Sequence, residues 1–331
     1  MLDHAEAATH LLRRGLIRTS GNLSSVTLSR LAGRNLVYRI ELDGATPLLV
    51  KRAVDAETRR GLEREAWAYE LIADSGNQIP PDVPRKLDFD PLSSTLVLEF
   101  LSGHRPLDHP GGLGELNALL AGALGGMLAR LHAISPPSGD TTAPWILSLI
   151  HPPVGILRGA SREQLELIGH VQGSAIWRSA VESLAGEWRP RSLVHGDLRF
   201  SNILLGQHQR SNKPALVLID WELAGCGDPS WDTGWVIAEI LAGRLQNLSK
   251  AFPLVREFWA GYVAEAPDSG THARLDHTLR WSAAASLQTA YEESRWLYAE
   301  APITDKLLEV GRSLLERPAV WIERVFTPPE R

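Results

Sequence analysis

The sequence predicts an α+β protein with two lobes, a small β-rich lobe with one main helix and a larger, mostly helical lobe. Two observations predict this class. Alternating apolar and polar residues, typical of strands, dominate the first hundred residues, and helical spacing dominates after "LSGHRPLDHPGG". A chain of 331 residues is also long enough for two lobes. We therefore expect a first lobe over 1–100, a second over 101–331, and a hinge near 99–104.

The first lobe is predicted to contain five strands and one main helix. A short helix over 3–14 comes first. "NLSSVTLSRLAGRNLVYRIEL" and "TPLLVKRA" follow as three strands, with a turn at "LAGRN" and Lys51 at the end of the third strand. The spacing from Glu57 to Ala73 predicts the main helix, and "RKLDFDPLSSTLVLEFL" predicts two further strands joined by a turn.

The second lobe is predicted to be helical except around two polar loops. "LNALLAGALGGMLARLHAI" has the spacing of a long helix, and a Pro/Ser-rich break follows at 135–144. "SLVHGDLRFSNILL" and "PALVLIDWELAG" predict short strands around loops. From Trp231 onward the pattern is helical again, with many tryptophans that we expect in the core or lining a groove.

Composition excludes several classes of partner. The net charge of −5 gives no electrostatic footprint for nucleic acid. No apolar run approaches the roughly 20 residues that span a bilayer, and the first residues do not resemble a signal peptide. A single cysteine, Cys226, cannot form an internal disulfide. These features favour a cytoplasmic protein without a nucleic-acid or membrane partner.

Polar residues follow two apolar strands of the second lobe. In "SLVHGDLRFSNILL", Asp197 follows a glycine and Asn202 lies five residues further on; "LVLID" ends in Asp220. Asp and Asn oxygens suit Mg²⁺, which commonly takes one or two carboxylates together with substrate phosphates. An Asp beside the metal could accept a proton from a hydroxyl. Each motif alone is more typical of a capped turn. The two motifs together, in a chain whose sheet-rich first lobe carries a strand lysine, favour a site for phosphate chemistry.

The pair "HGDLRFSN…LIDWE" resembles the phosphotransfer signature of the aminoglycoside phosphotransferase and choline kinase branch of the protein-kinase-like fold. The resemblance covers most of the chain, because the order of the lobes and of the motifs both match. It implies a kinase that uses ATP and Mg²⁺ to phosphorylate a hydroxyl acceptor. It further implies that Asp197 is the catalytic base and that Asn202 and Asp220 hold Mg²⁺.

The resemblance also implies nucleotide-binding residues in the first lobe. Lys51 would pair with the α- and β-phosphates of ATP. Glu65 is expected to pair with Lys51 in preference to Glu63, because it lies on the buried face of the main helix. In "LVLEFLSG", the backbone of Glu99 and Leu101 would meet the adenine edge, although the same stretch is also typical of a plain edge strand.

The phosphate-binding loop departs from the family pattern. "LAGRNLVYRI" resembles the Gly-rich turn that is followed by Asn and an aromatic residue, but Gly33 is its only glycine. Ala32 and Arg34 leave less room for the backbone to approach phosphate. We expect Gly33, Arg34 and Asn35 near the nucleotide, with Arg34 either reaching a phosphate or lying exposed in the loop.

The acceptor expected from the sequence is Ser or Thr of a precursor peptide. The helical segment after Asp232 carries acids and bases in near balance, which weakens the expectation of a polycationic acceptor. "APWILSLIHPPVGILRGASREQLELIG" resembles lanthipeptide-pathway members, which phosphorylate Ser or Thr of a precursor peptide, and a partner enzyme would then be expected. The alternatives are a small-molecule O-phosphotransferase and a catalytically silent binding module.

His132, Asp232 and His195 are expected to brace the catalytic loop through hydrogen bonds.

Overall fold

The structure, a computed structural model, confirms the α+β class. It describes residues 4–17, 27–31, 35–41, 46–75, 82–109, 115–136, 143–207, 214–266, 273–295 and 301–327. A five-stranded sheet with one long helix comes first in the chain, and a mostly helical lobe follows.

The first lobe is an antiparallel sheet with the strand order β1-β2-β3-β5-β4. Its first helix is short and its second helix, α2, is the main helix that the sequence predicts. The bounds are α1 (His4–Arg13), β1 (Thr27–Leu31), β2 (Leu36–Glu41), β3 (Leu48–Arg52), α2 (Ala56–Asp74), β4 (Lys86–Asp90) and β5 (Thr95–Glu99).

Alternation along β3 gives the sheet two different faces. Leu48 and Val50 join a small apolar cluster with Leu11 of α1. Leu49 and Lys51 point the other way and line a cleft between the lobes. The alternating pattern of one strand therefore places Lys51 on the functional face of the sheet.

Helix α2 begins at a capping box. Asp55 accepts a hydrogen bond from the backbone N–H of Thr58 at 2.8 Å, and the Thr58 hydroxyl accepts one from the backbone N–H of Asp55. Leu62, Glu65 and Tyr69, spaced by three and four residues, form its buried face. This spacing puts one carboxylate among the apolar side chains of the face that packs on the sheet.

The second lobe contains nine described α-helices and five short strands. Strands β6, β8 and β9 form one sheet, and β7 pairs with β10. The helix bounds are α3 (Ala118–His132), α4 (Val154–Gly159), α5 (Arg162–Gly173), α6 (Ala175–Glu187), α7 (Pro229–Ala242), α8 (Phe252–Glu265), α9 (Leu275–Glu293), α10 (Ala301–Glu316) and α11 (Pro318–Phe326). The strand bounds are β6 (Arg105–Pro106), β7 (Ser192–Val194), β8 (Ile203–Gln207), β9 (Pro214–Leu218) and β10 (Gly225–Gly227).

Helices α3 and α8 cross in close contact. A Cβ atom on Gly125 would lie 2.0 Å from the carbonyl oxygen of Phe258, and one on Gly261 would lie 2.0 Å from that of Gly122. These contacts show why α3 contains glycines in spite of their low helix propensity. Within the described stretches, every helix is too short or too polar to cross a lipid bilayer.

Candidate active site

The loop after β7 is held from behind by one buried carboxylate. Asp232, near the start of α7, accepts hydrogen bonds from the backbone N–H groups of His195 (2.7 Å) and Gly196 (3.0 Å). His132 lies 3.3 Å from the same carboxylate and 2.9 Å from the hydroxyl of Tyr262. The expectation that His132 and Asp232 brace the loop matches these contacts.

Gly196 is the residue that lets this loop turn. Its φ of +84° lies in the left-handed region, which side chains disfavour. A Cβ atom there would lie 2.4 Å from the carbonyl oxygen of Leu223. Only glycine satisfies both the backbone angle and the contact.

We expect Gly196→Ala to lower the free energy of unfolding by about 2–4 kcal/mol, because strain and overpacking each contribute about 1–3 kcal/mol. Urea unfolding followed by circular dichroism measures the change. The matched control is Gly169→Ala in α5, where a Cβ would have no atom within 4 Å. We expect that control to gain about 0.5–1 kcal/mol from helix propensity. Equal effects of the two variants would contradict this account of the loop.

Asp197 follows Gly196 and is held by two donors. Nε of Arg199 donates to Oδ1 of Asp197 at 2.8 Å. The amide nitrogen of Asn202 donates to Oδ2 of Asp197 at 3.2 Å and to its backbone oxygen at 2.9 Å. The loop thus orients the carboxylate through both of its oxygens.

The second polar strand end lies directly beside the first. Asp220 follows β9 with a φ of +68°, which is uncommon for a residue other than glycine. The backbone N–H of Ile219 donates to the carbonyl of Asn202 at 3.0 Å, and the His195 ring lies 2.9 Å from the carbonyl of Ile219. The two loops are therefore linked through backbone groups, and His195 orients the loop as expected.

Lys51 joins the sheet to both α2 and the Asp220 loop. Its Nζ lies 2.9 Å from each carboxylate oxygen of Glu65 and 2.6 Å from Oδ1 of Asp220. The hydroxyl of Tyr69 also donates to Glu65, at 3.3 Å. Glu65 is fully buried and Glu63 is exposed, so the structure places Glu65 beside Lys51 as the helix spacing predicts.

Electrostatics keep this pair charged at neutral pH. Burial raises the pKa of Glu65 to about 6, against the opposing charge of Lys51. Burial acts to lower the pKa of Lys51, but the charges of Glu65 and Asp220 outweigh it and raise that pKa. The cleft therefore presents a fixed ammonium group beside the carboxylate of Asp220.

A cleft of about 440 Å³ brings these residues together. Asn35 lines it as well; the residue is buried, and within the described residues its Oδ1 has no hydrogen-bond partner. Gly33 and Arg34 lie outside the described residues. The lining side chains are Leu31, Asn35, Val37, Leu49, Lys51, Asp197, Arg199, Ser201, Asn202, Ile219, Asp220 and Glu222.

The residues predicted to meet adenine are not among those that line the cleft. The backbone N–H of Glu99 donates to the carbonyl of Arg85 at 3.0 Å, and the Glu99 carboxylate accepts from the backbone N–H of Arg85 at 2.8 Å. Leu101 accepts a hydrogen bond from the backbone N–H of His104 at 3.4 Å. Both stay candidates for adenine binding on the basis of the sequence alone.

Asn202 and Asp220 have the donor chemistry that a magnesium ion requires. The amide nitrogen of Asn202 is turned towards Asp197, so its oxygen is the atom that could bind a metal ion. The carboxylate of Asp220 lines the same cleft. Carboxylate and amide oxygens are hard ligands, so these two residues fit Mg²⁺.

Sequence reasoning missed four side chains around Asp197. Arg199 forms an ion pair with Glu292, and its guanidinium lies 4.9 Å from the ring centre of Trp235. Glu239 accepts a hydrogen bond from the backbone N–H of Phe200 at 2.8 Å, and burial raises its pKa to about 7. Arg199 could have been found from its place in the motif, whereas no sequence pattern marks Glu292, Trp235 or Glu239.

Comparison with known proteins gives a family match over most of the chain. Residues 27–262 match the model of the phosphotransferase enzyme family. The matched region includes the β-sheet lobe, the Asp197 loop and the Asp220 loop.

Two curated relatives and one solved structure are similar to this chain. The 4-hydroxytryptamine kinase of Psilocybe cyanescens is 24% identical over 309 residues, which cover 81% of this chain and 80% of that protein. Streptomycin 6-kinase of Streptomyces griseus is 30% identical over 184 residues, about half of each chain (52% and 53%). The crystal structure of choline kinase LicA from Streptococcus pneumoniae superposes with a TM-score of 0.57 at 18% identity, covering 95% of this chain and 99% of that chain.

Proposed function

Because this chain belongs to the phosphotransferase enzyme family and is a kinase, we propose that it transfers the γ-phosphoryl group of ATP to a hydroxyl group of a small molecule. The observation that carries the proposal is the convergence of Lys51, Asp197, Asn202 and Asp220 on one cleft. These residues come from a strand of the first lobe and two loops of the second.

Asp197 is assigned the role of general base. The oxygen of the acceptor hydroxyl forms a bond to the γ-phosphorus, and the bond from that phosphorus to the β,γ-bridging oxygen breaks. The hydroxyl proton passes to the Asp197 carboxylate, and ADP leaves. Arg199 and Asn202 hold this carboxylate in place, which is the positioning that phosphoryl transfer requires.

Residues 1–100 are assigned to nucleotide binding and residues 101–331 to catalysis and acceptor binding. Lys51, fixed by Glu65, would contact the α- and β-phosphates. Asn35 would offer its Oδ1, which has no hydrogen-bond partner among the described residues, to the nucleotide side of the cleft. Mg²⁺ held by Asn202 and Asp220 would neutralise phosphate charge when bound.

The remaining nucleotide contacts rest on the resemblance to the family. Gly33 and Arg34 are assigned to the phosphate loop, and the backbone of Glu99 and Leu101 to adenine.

A small-molecule acceptor is favoured over a peptide. The similar proteins are named for 4-hydroxytryptamine, streptomycin and choline, which are small hydroxyl-bearing compounds. The segment that resembles lanthipeptide-pathway members, residues 143–169, contributes buried side chains to the main core, namely Ile146, Leu149, Leu167 and Ile168. Core packing accounts for its apolar character without a peptide groove.

Mass spectrometry against two acceptor panels tests the proposal. One panel contains hydroxylated amines, sugars and antibiotics, and the other contains Ser/Thr-rich peptides, each incubated with ATP and with or without Mg²⁺. We expect a mass gain of one phosphoryl group on members of the first panel, dependent on Mg²⁺. Transfer to peptides alone would overturn the small-molecule acceptor. Absence of both transfer and ADP release would favour a catalytically silent binding module.

A further inference from the structure

Glu292, at the end of α9, is linked to the proposed base through Arg199. Nε of Arg199 donates to Asp197, and the far end of the same guanidinium pairs with Oε2 of Glu292. The guanidinium lies over the ring of Trp235, with 4.9 Å from Cζ to the ring centre. Arg199 is therefore held by two carboxylates and one aromatic ring.

Glu292 is itself held by its own helix. The amide nitrogen of Gln288, one turn earlier in α9, donates to Oε1 of Glu292 at 3.0 Å. Gln288 is buried, whereas the side chain of Glu292 is 31% exposed. The carboxylate thus has one oxygen fixed to α9 and the other fixed to Arg199.

The ion pairs that Arg199 forms with Asp197 and Glu292 are partly buried. The side chains of Asp197, Arg199 and Glu292 are 17%, 28% and 31% exposed, so water screens their charges only in part. A guanidinium is permanently charged and holds carboxylates in a fixed fork geometry. Without Glu292, the guanidinium of Arg199 could rotate. Its Nε would then no longer be held in place to donate to the carboxylate of Asp197.

We propose that Glu292 is a positioning residue for phosphoryl transfer, which acts through Arg199 on the carboxylate of Asp197. The proposal rests on the proposed function, because it needs Asp197 to be the base. Glu292 lies 95 positions after Asp197 in the chain. It orients the Asp197 carboxylate through the guanidinium group of Arg199.

A double-mutant cycle on kcat tests this proposal. We expect Glu292→Gln and Arg199→Gln each to lower kcat about tenfold or more, with KM for Mg·ATP unchanged, since each removes a charge-assisted hydrogen bond. We expect Glu292→Gln to have no further effect in the Arg199→Gln background. An additive double variant would show that Glu292 acts by another route and would overturn the proposal.

Two further variants separate positioning from general loss of structure. Glu293→Gln is the matched control, because Glu293 is the next residue of the same helix and is exposed; we expect wild-type kcat. Arg199→Lys keeps the charge but loses the fork, so we expect its kcat to lie between those of wild type and Arg199→Gln. A loss of kcat in Glu293→Gln equal to that in Glu292→Gln would overturn the proposal.

Nuclear magnetic resonance of the arginine Nε–H groups provides a readout that needs no turnover. We expect the Nε–H signal assigned through Arg199→Lys to move in Glu292→Gln and to stay in place in Glu293→Gln. An unmoved signal in Glu292→Gln would overturn the proposal. If the wild-type protein phosphorylates no acceptor, the proposed function fails, and this spectrum still decides whether Glu292 positions Arg199.

Discussion

Asp197→Asn is expected to lower kcat by about 10²–10⁴-fold, the contribution of a positioned general base. The variant keeps an oxygen that can accept the hydrogen bond from Arg199, and the hydrogen bond from Asn202 to the Asp197 backbone oxygen is unaffected. It loses the capacity to take the proton of the acceptor hydroxyl, together with one of the two oxygens that accept from Arg199 and Asn202. Steady-state ADP release with a saturating acceptor measures the effect.

The binding of Mg·ATP and the free energy of unfolding should be nearly unchanged in Asp197→Asn. Isothermal titration and urea unfolding test this, with a change in unfolding free energy of no more than about 1 kcal/mol. Asp305→Asn in α10 is the control, because Asp305 is exposed and is not among the residues that line the cleft. Full turnover of Asp197→Asn would show that another group is the base.

Lys51→Met is expected to lower the free energy of unfolding by about 3–5 kcal/mol at pH 8, because it leaves the buried carboxylate of Glu65 without its cation. Methionine fills a similar volume, so the loss reports mainly the charge. The same variant should also raise KM for Mg·ATP about tenfold or more, since the proposed phosphate contact is gone.

The effect of Lys51→Met on stability should depend on pH. Burial raises the pKa of Glu65 to about 6 with Lys51 present, and the charges of Asp220 and Glu222 add to this rise; without Lys51 that pKa is higher still. Because this pKa exceeds that of the unfolded chain, protonation stabilises the fold at low pH, and the stabilisation is lost as pH rises through the folded-state value. The deficit should therefore be smaller at about pH 5 than at about pH 8.

Lys86→Met provides the matched control for Lys51→Met. Lys86 also pairs with a glutamate of α2, Glu70, but that glutamate is 59% exposed. Such a surface pair contributes less than about 1 kcal/mol, and we expect no marked dependence on pH. A loss in Lys51→Met as small as in Lys86→Met would contradict a buried charge pair.

The residues that converge on the cleft could be predicted from sequence because each belongs to a local pattern. Lys51 ends an alternating strand, Glu65 lies on a spaced helix face, and Asp197, Asn202 and Asp220 follow apolar strands. Local rules govern each of these positions, and the resemblance to the kinase family then implies that they meet. The fold class and the five strands of the first lobe are confirmed for the same reason.

The surroundings of Asp197 could not be predicted in this way. Glu292 and Trp235 contact Arg199 through tertiary packing of α9 and α7, and nothing in their local sequence distinguishes them from other helical residues. Strands β6 and β10 span only Arg105–Pro106 and Gly225–Gly227, too short for alternation to be visible. Contacts between segments distant in the chain, rather than local patterns, decide these features.

The two faces of the first sheet have a consequence for fragment design. The face turned away from the cleft holds its own apolar cluster, in which Leu11 of α1 packs with residues that include Tyr38, Ile40 and Val50. A fragment that starts at β1 would leave this face open to water and prone to self-association. Domain boundaries for expression should therefore be placed before His4, even though the family match begins only at residue 27.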